Sequence, residues 1–423
     1  MTLIVIFIAL VFLHSLVSGR LERTIVTAPI LFTAAGMVAL VCLPDLRDRQ
    51  LNLELWLTIA EIGLVLLLFT DASRTDLRVL KKIRNLPVRL LSVGMLLTLL
   101  LGGLAALVVF RQLSIWEAGI LAAILAPTDA GLGQIIVNSP RVPMKIRQAL
   151  NVEAGLNDGL SVPFLLFFIA LSAAAEGESA RLTKFILEQL GYGTLVGLVM
   201  GGVGGWLLGA AQRREWMAHS WRQLGVVALP LLCLLASEAV GASMFIAAFV
   251  AGLAVQVGFK DAAKHSVEFT EEWGQLFNLS VFFLFGLLTA SAWPQLTWQH
   301  ALYAVLSLTV VRMLPVAVAL IGARLSRATV LFMGWFGPRG LASIVLGLVY
   351  LEQHPHQTSE ATIRFAVMAT VLLSIFAHGL SALPGMALYA RKISTLPPDA
   401  AEFEGSEAGS RTPNAMVIHP PQP

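Results

Sequence analysis

Apolar residues in this chain come in long blocks set off by short polar stretches. The blocks run to roughly the 17–25 residues that cross a hydrocarbon core as a helix. Read block by block, the pattern predicts about 13 transmembrane spans, over 2–18, 26–43, 53–70, 88–110, 115–137, 146–172, 185–210, 222–238, 242–258, 272–290, 297–322, 329–351 and 361–390. The expected class is an all-α polytopic membrane protein. Two blocks are interrupted midway: APTDAGLG at 126–133 and GWFGPRGLAS at 334–343 each combine Pro, Gly and a charge. Inside a bilayer such breaks survive only where the freed backbone groups line a cavity or are buried in protein. They fall in the fifth span from the start and the second from the end, corresponding places in an inverted repeat of spans one to six and eight to thirteen. That is the pattern of a secondary transporter. The glycine run GLVMGGVGGWLLG at 197–209 has the spacing that lets membrane helices approach closely. After Arg391 the chain turns to Pro, Gly, Ser, Ala and acidic residues. Residues 1–392 are therefore expected to form the membrane domain, and 393–423 a disordered tail that transport does not need.

Composition narrows the class. The 423 residues are 57% hydrophobic and 13% charged, with mean hydropathy +0.78, whereas soluble domains are about one-quarter charged. Of the 29 Lys and Arg residues, 21 fall on one set of alternate loops and 5 on the other. By the positive-inside rule the rich side is cytoplasmic, with the N-terminus outside and the C-terminus in the cytoplasm. A net charge of +3 spread over short loops gives no basis for nucleic-acid binding. The two cysteines, Cys42 and Cys233, have no metal-ligand spacing. No Walker-type glycine loop is present to drive transport by nucleotide hydrolysis. Met1 runs straight into TLIVIFIALVFLHSLV, so the first block is expected to be retained rather than cleaved.

Four carboxylates fall where the bilayer tolerates charge poorly: Glu61, Asp129, Glu153 and Asp158. A mid-membrane charge costs about 2.5–3.5 kcal/mol even on lenient scales, so each must face protein or water and have a partner. Asn151, Ala154, Asp158 and Ser161 share one helical face, a small and polar stripe suited to a wet cavity. Glu153 lies about 140° around the helix from Asp158 and needs its own partner. Arg312 and Arg339 are both available. At the first break, Thr128 is a candidate backbone ligand for a cation, since half-helix ends present free carbonyls there. His14 and His378 are placed near span ends and the other histidines in loops, so proton carriage falls to a carboxylate. Burial penalises the charged form of a carboxylate and a bound monovalent cation favours it, so proton and cation compete for one site. Competition gives exchange if the site opens to one side at a time. A passive cation channel would need a continuous polar pathway, and an intramembrane hydrolase a nucleophile–base pair; the polar residues instead cluster around one mid-membrane site.

The string LAPTDAGLGQIIVNSPRVPMKIRQALNVEAGLNDGLSVP resembles the fifth and sixth spans of the monovalent cation:proton antiporter-1 family, the NhaP-type sodium/proton exchangers, whose pattern is TDP followed by ESLLNDG. EIGLVLLLFTDASRTDLR, GASMFIAAFVAGL, VVRMLPVAV and GPRGLASIVL resemble the third, ninth, eleventh and twelfth spans of the same family. The resemblance implies an NhaA/NhaP-like fold of inverted repeats with two discontinuous helices, a homodimer, and a plasma-membrane transporter rather than an enzyme. It implies no cofactor, only the transported proton and a monovalent cation, Na+ with K+ or Li+ as further candidates. Carried over by position, Asp158 resembles the exchanging carboxylate, and Asn157 stands where electrogenic relatives have a second aspartate, which implies electroneutral one-for-one exchange. Asp129 and Thr128 match the unwound-helix pair, Glu153 the glutamate that pairs with Arg339, and Glu61 a third-span acid near the ion site. Two positions depart from the pattern: Ala130 replaces a proline, and Ala154 replaces a serine whose hydroxyl, one turn before Asp158, could ligate a cation.

Overall fold

The computed structural model describes residues 2–21, 24–43, 53–74, 86–175, 185–259, 266–353, 359–397 and 399–403. Lipid offers the backbone no hydrogen-bond partners, so the apolar blocks fold as helices that satisfy their own peptide groups. In chain order α1 (Thr2–Leu21), α2 (Ala28–Cys42), α3 (Leu53–Arg74) and α4 (Leu86–Val109) lead to a broken span made of α5 (Ile115–Ile124) and α6 (Ala130–Val137). Then come α7 (Met144–Ala175), α8 (Gly193–Arg213), α9 (His219–Ala239), α10 (Met244–Gly258), α11 (Ser266–Ala292) and α12 (Trp298–Ala319). The second broken span is α13 (Arg327–Trp335) and α14 (Leu341–Gln353), and α15 (Glu360–Ile393) ends the bundle. Among the described residues, 8 helical stretches are long and apolar enough to cross a bilayer unaided.

Local sequence explains the interruptions. α5 opens on a capping box, Ser114 with Glu117, and ends where Pro127 can donate no backbone hydrogen bond. Asp129 then caps α6 through Leu132 N at 3.0 Å. In the second span, Gly337, Pro338 and Gly340 separate α13 from α14 in the same way.

Packing follows the small residues. Gly193, Gly197, Gly201, Gly205 and Gly209, one turn apart on α8, are all buried. A Cβ added at 197, 201, 205 or 209 would overlap the backbone carbonyls of Ala247, Ala251, Val255 and Gly258 on α10. The glycine run is thus a helix-packing stripe, as its spacing suggests. α3 runs through the middle of the molecule, with Leu64, Val65, Leu68 and Phe69 sealed inside the main apolar cluster.

Within the tail expected to be disordered from residue 393, residues 393–397 and 399–403 are placed against the bundle. After α15, Leu396 packs against a second apolar cluster that includes Ile146, Phe332 and Tyr389. Lys145 Nζ at the start of α7 donates to the Ala401 carbonyl at 2.8 Å. Glu402, 1% exposed, accepts hydrogen bonds from Ser326 N at 2.7 Å and Thr329 Oγ1 at 2.8 Å. Composition misjudged this segment because a short strap need not bury a core of its own when it docks on one already built. Residues 404–423 lie outside the described residues.

Candidate functional site

The two broken spans meet at their breaks. Asp129 N donates to the Pro338 carbonyl at 2.7 Å. The Asp129 carboxylate accepts Leu132 N through one oxygen, at the start of α6, and Leu341 N through the other at 2.7 Å, at the start of α14. One buried negative charge therefore sits over two half-helix N-termini, where free N–H groups and the helix dipoles favour it. The reciprocal charge is Arg339, fully buried at 0% exposure. Its Nη1 donates to the carbonyls of Ala126 and Pro127, the latter at 2.9 Å, in the break just past the C-terminal end of α5.

Arg339 Nη1 is thus occupied, its Nε and Nη2 have no hydrogen-bond partner among the described residues, and it does not form the expected ion pair with Glu153. Glu153 on α7 instead forms a two-point pair with Arg312 of α12, Nη1–Oε1 2.5 Å and Nη2–Oε2 3.0 Å, with both side chains buried. The guanidinium of Arg312 lies against Gly337, where a Cβ would overlap it. The pair therefore buttresses the second break from behind. The carboxylate takes the cation that approaches with both nitrogens, while the Ala126 and Pro127 carbonyls of the first break hold Nη1 of the other.

Facing the first break from α7 are Asn157 and Asp158. Asn157 Oδ1 accepts Thr128 N at 3.1 Å, and its Nδ2 donates to Thr128 Oγ1 at 2.8 Å. The two bonds fix both the amide orientation and the Thr128 peptide. Asp158, 3% exposed, has one carboxylate oxygen, Oδ1, that is buried without a hydrogen-bond partner among the described residues. The charges acting on it are the carboxylates of Asp71 and Asp129 and the guanidinium of Arg339. A cavity of about 20 Å³, lined by Thr128, Asp129, Glu153, Ala154 and Pro338 among others, adjoins the break and holds about one water. Thr128, Asp129, Asn157 and Asp158 therefore come together as the sequence suggests.

Glu61 does not join them. It is half-buried on α3 and lines a separate cavity of about 270 Å³ with Val162, Leu165, Glu238 and Met244. The α3 acid beside the cluster is Asp71, ten residues further on, which packs against α7 at Gly155: a Cβ there would lie 3.2 Å from Asp71 Cβ. Sequence reading ended the third span at residue 70 and passed over Asp71. The signal was the small residue Ala72, which carries the buried face past the carboxylate.

His378 was also misplaced. It lies inside α15, 2% exposed, with Nε2 2.9 Å from the Trp335 carbonyl and Nδ1 3.1 Å from Ser374 Oγ. Ser374 Oγ in turn accepts Arg339 N at 2.6 Å.

The two broken spans thus meet beside a buried carboxylate, Asp158, whose Oδ1 has no hydrogen-bond partner among the described residues. The chain belongs to the sodium/hydrogen exchanger transmembrane family, whose model matches residues 4–386. Its fold matches that of the sodium proton antiporter MjNhaP1 from Methanocaldococcus jannaschii, with TM-score 0.73 and 21% identity, over 90% of this chain and 99% of that one. A Na(+)/H(+) antiporter of Schizosaccharomyces pombe is 27% identical over 312 residues, covering 65% of each chain. The K(+)/H(+) antiporter NhaP of Alkalimonas amylolytica is 25% identical over 398 residues, 90% of this chain and 66% of that protein. The chain thus spans about two thirds of the length of these two relatives.

Proposed function

We propose that this protein exchanges a monovalent cation for a proton across a membrane, with both competing for the Asp158 carboxylate. The observation that carries the reading is the buried Asp158 Oδ1, which lacks a hydrogen-bond partner among the described residues, beside the meeting of two broken spans. A proton or a cation supplies what that oxygen lacks. Asn157 holds the Thr128 peptide at the mouth of the break, where its carbonyl can replace cation hydration water. Asp71 adds negative charge from α3. Asp129, held by two backbone N–H groups, is the fixed member of the set, and only Asp158 changes its load during the cycle. With asparagine at 157, one carboxylate titrates per turnover, and exchange is one-for-one and electroneutral. The empty ionised site is too costly to carry across an apolar barrier, which couples the two fluxes.

Sodium is the first candidate ion. Potassium is favoured as a second by Ala154, whose methyl stands beside the Thr128–Asp129 cavity where the family pattern has a hydroxyl, and by the match to a potassium/proton antiporter. The N-terminus outside and the C-terminus in the cytoplasm rest on the distribution of Lys and Arg, and a plasma-membrane location on the family resemblance. A homodimer is what the family resemblance implies.

The test is transport in liposomes carrying an internal pH dye, with the membrane potential clamped. Adding sodium or potassium outside wild-type vesicles should alkalinise the interior, and Asp158→Asn should abolish the signal while its thermal unfolding stays near wild type. Cation-driven proton movement that persists in Asp158→Asn would overturn the assignment.

A further inference from the structure

In an unbroken helix the Trp335 carbonyl would accept the N–H of Arg339, four residues on. The break parts them. Arg339 N donates to Ser374 Oγ at 2.6 Å, Ser374 Oγ lies 3.1 Å from His378 Nδ1, and His378 Nε2 lies 2.9 Å from the Trp335 carbonyl. The two backbone ends fix the direction of every bond. Arg339 N can only donate, so Ser374 Oγ accepts and has its own hydrogen to give. The Trp335 carbonyl can only accept, so Nε2 carries the ring proton and Nδ1 accepts from Ser374. A neutral imidazole has one N–H, so the 3.0 Å approach of Nδ1 to the Ser374 carbonyl is a contact rather than a hydrogen bond. The relay stands on the uninterrupted helix α15, where Ser374 is 0% and His378 2% exposed. The ring packs on Trp335, centroids 5.0 Å apart, and Trp335 Nε1 donates to Ser381 Oγ on the same helix at 2.9 Å. Gly337 N shares the Trp335 carbonyl at 2.9 Å.

We propose that Ser374 and His378 are positioning residues that splice the second broken span, replacing the lost Arg339–Trp335 helical bond with a side-chain relay and thereby holding the ion site in register. The link to the site is short. Arg339 caps the Ala126 and Pro127 carbonyls, and its neighbour Pro338 receives Asp129 N. A shift of the 338–339 backbone therefore moves the loop that carries Thr128 and Asp129. This role rests on the proposed exchange at Asp158.

The experiment compares full-length wild type, Ser374→Ala, Ser374→Thr, His378→Ala, His378→Gln and the double Ser374→Ala/His378→Ala variant. The readouts are sodium-driven exchange in liposomes and hydrogen exchange of the 335–341 backbone. Each single alanine variant should raise the half-saturating sodium concentration about 5- to 20-fold, the factor a lost hydrogen bond is worth, with a smaller change in maximal rate. Each should also speed hydrogen exchange at Arg339. Ser374→Thr keeps the hydroxyl and His378→Gln keeps a donor for Trp335, so both should recover most of the loss. The double variant should be no worse than either single, because cutting a relay once breaks it. Wild-type affinity and protection in both alanine variants, additive losses, or no recovery in Ser374→Thr and His378→Gln would each overturn the proposal. If wild-type protein moves no protons with sodium or potassium, the exchange reading fails, and hydrogen exchange at Arg339 still decides the relay on its own.

Discussion

The strap of residues 394–403 gives the sharpest quantitative prediction. Glu402 is buried, accepts the Ser326 and Thr329 donors, and sits at the N-terminus of α13. A hydrogen bond to a charged group is worth about 1.5–3 kcal/mol, and a negative charge at a helix N-terminus about 0.3–1 kcal/mol more. Glu402→Gln keeps the shape and removes the charge, and should weaken docking by about 1–2 kcal/mol. Glu402→Ala also strands Ser326 N, and should cost about 2–4 kcal/mol. Burial pushes the Glu402 carboxyl up, but the hydrogen bonds from Ser326 and Thr329 outweigh it and hold the group below its ordinary value. A folded-state value below the unfolded one means the stabilisation is complete at neutral pH. It fades as pH falls below the ordinary glutamate value of about 4.3. Limited proteolysis after residue 393, followed by mass spectrometry, reads the docked fraction. Cleavage should be faster in Glu402→Gln than in wild type, faster again in Glu402→Ala, and in wild type should accelerate only on the acid side. Equal cleavage in all three proteins, or release on raising the pH, would refute the reasoning. A chain ending at 403 should keep the strap and one ending at 395 should lose it.

Other substitutions test the rest of the molecule. Glu153→Gln leaves Arg312 buried beside Gly337 and should cost about 3–5 kcal/mol, read as lower yield and an earlier thermal transition, with Glu153→Leu/Arg312→Met recovering much of it. Ala154→Ser restores a hydroxyl beside the Thr128–Asp129 cavity and should lower the half-saturating sodium concentration about 2- to 10-fold relative to potassium; unchanged selectivity in liposomes would remove residue 154 from the site. Gly201→Val overlaps the Ala251 backbone, which cannot yield as a side chain would, and should destabilise by more than the about 1–3 kcal/mol usual for overpacking, seen in thermal unfolding.

Much of this was legible in the sequence because the bilayer allows few solutions. Apolar blocks had to be helices, and Pro and Gly flanking a charge had to be breaks that meet protein. Asp129 and Asp158 stood out as carboxylates in apolar runs, Thr128 for its place at the first break, and Asn157 through the family resemblance. What escaped was pairing across helices. Glu153 had two guanidinium groups within plausible reach, and sequence does not show that the Ala126 and Pro127 carbonyls of the first break hold Arg339 Nη1. Asp71 was lost through a boundary error of a few residues. His378 was lost because its role depends on Trp335, which sits on a different helix from His378 and Ser374. The strap was misjudged because composition reports whether a segment can fold alone, not whether it can dock.

The crossing of the broken spans also constrains how the chain is made. Asp129 and the Leu341 amide that it accepts are 212 residues apart in sequence, and the bonds from Arg339 to the Ala126 and Pro127 carbonyls close a loop of 212–213 residues. At about 5–20 residues per second, a ribosome takes roughly 10–40 s to deliver the second partner after the first. During that interval α5 and α6 stand in the membrane with the Ala126 and Pro127 carbonyls lacking the guanidinium that will cap them, and Asp129 lacking the second amide of its pair. The first half of the repeat therefore cannot finish folding as it emerges. It must be sheltered by water, lipid headgroups or insertion machinery until α13 and α14 arrive and the two breaks close on each other.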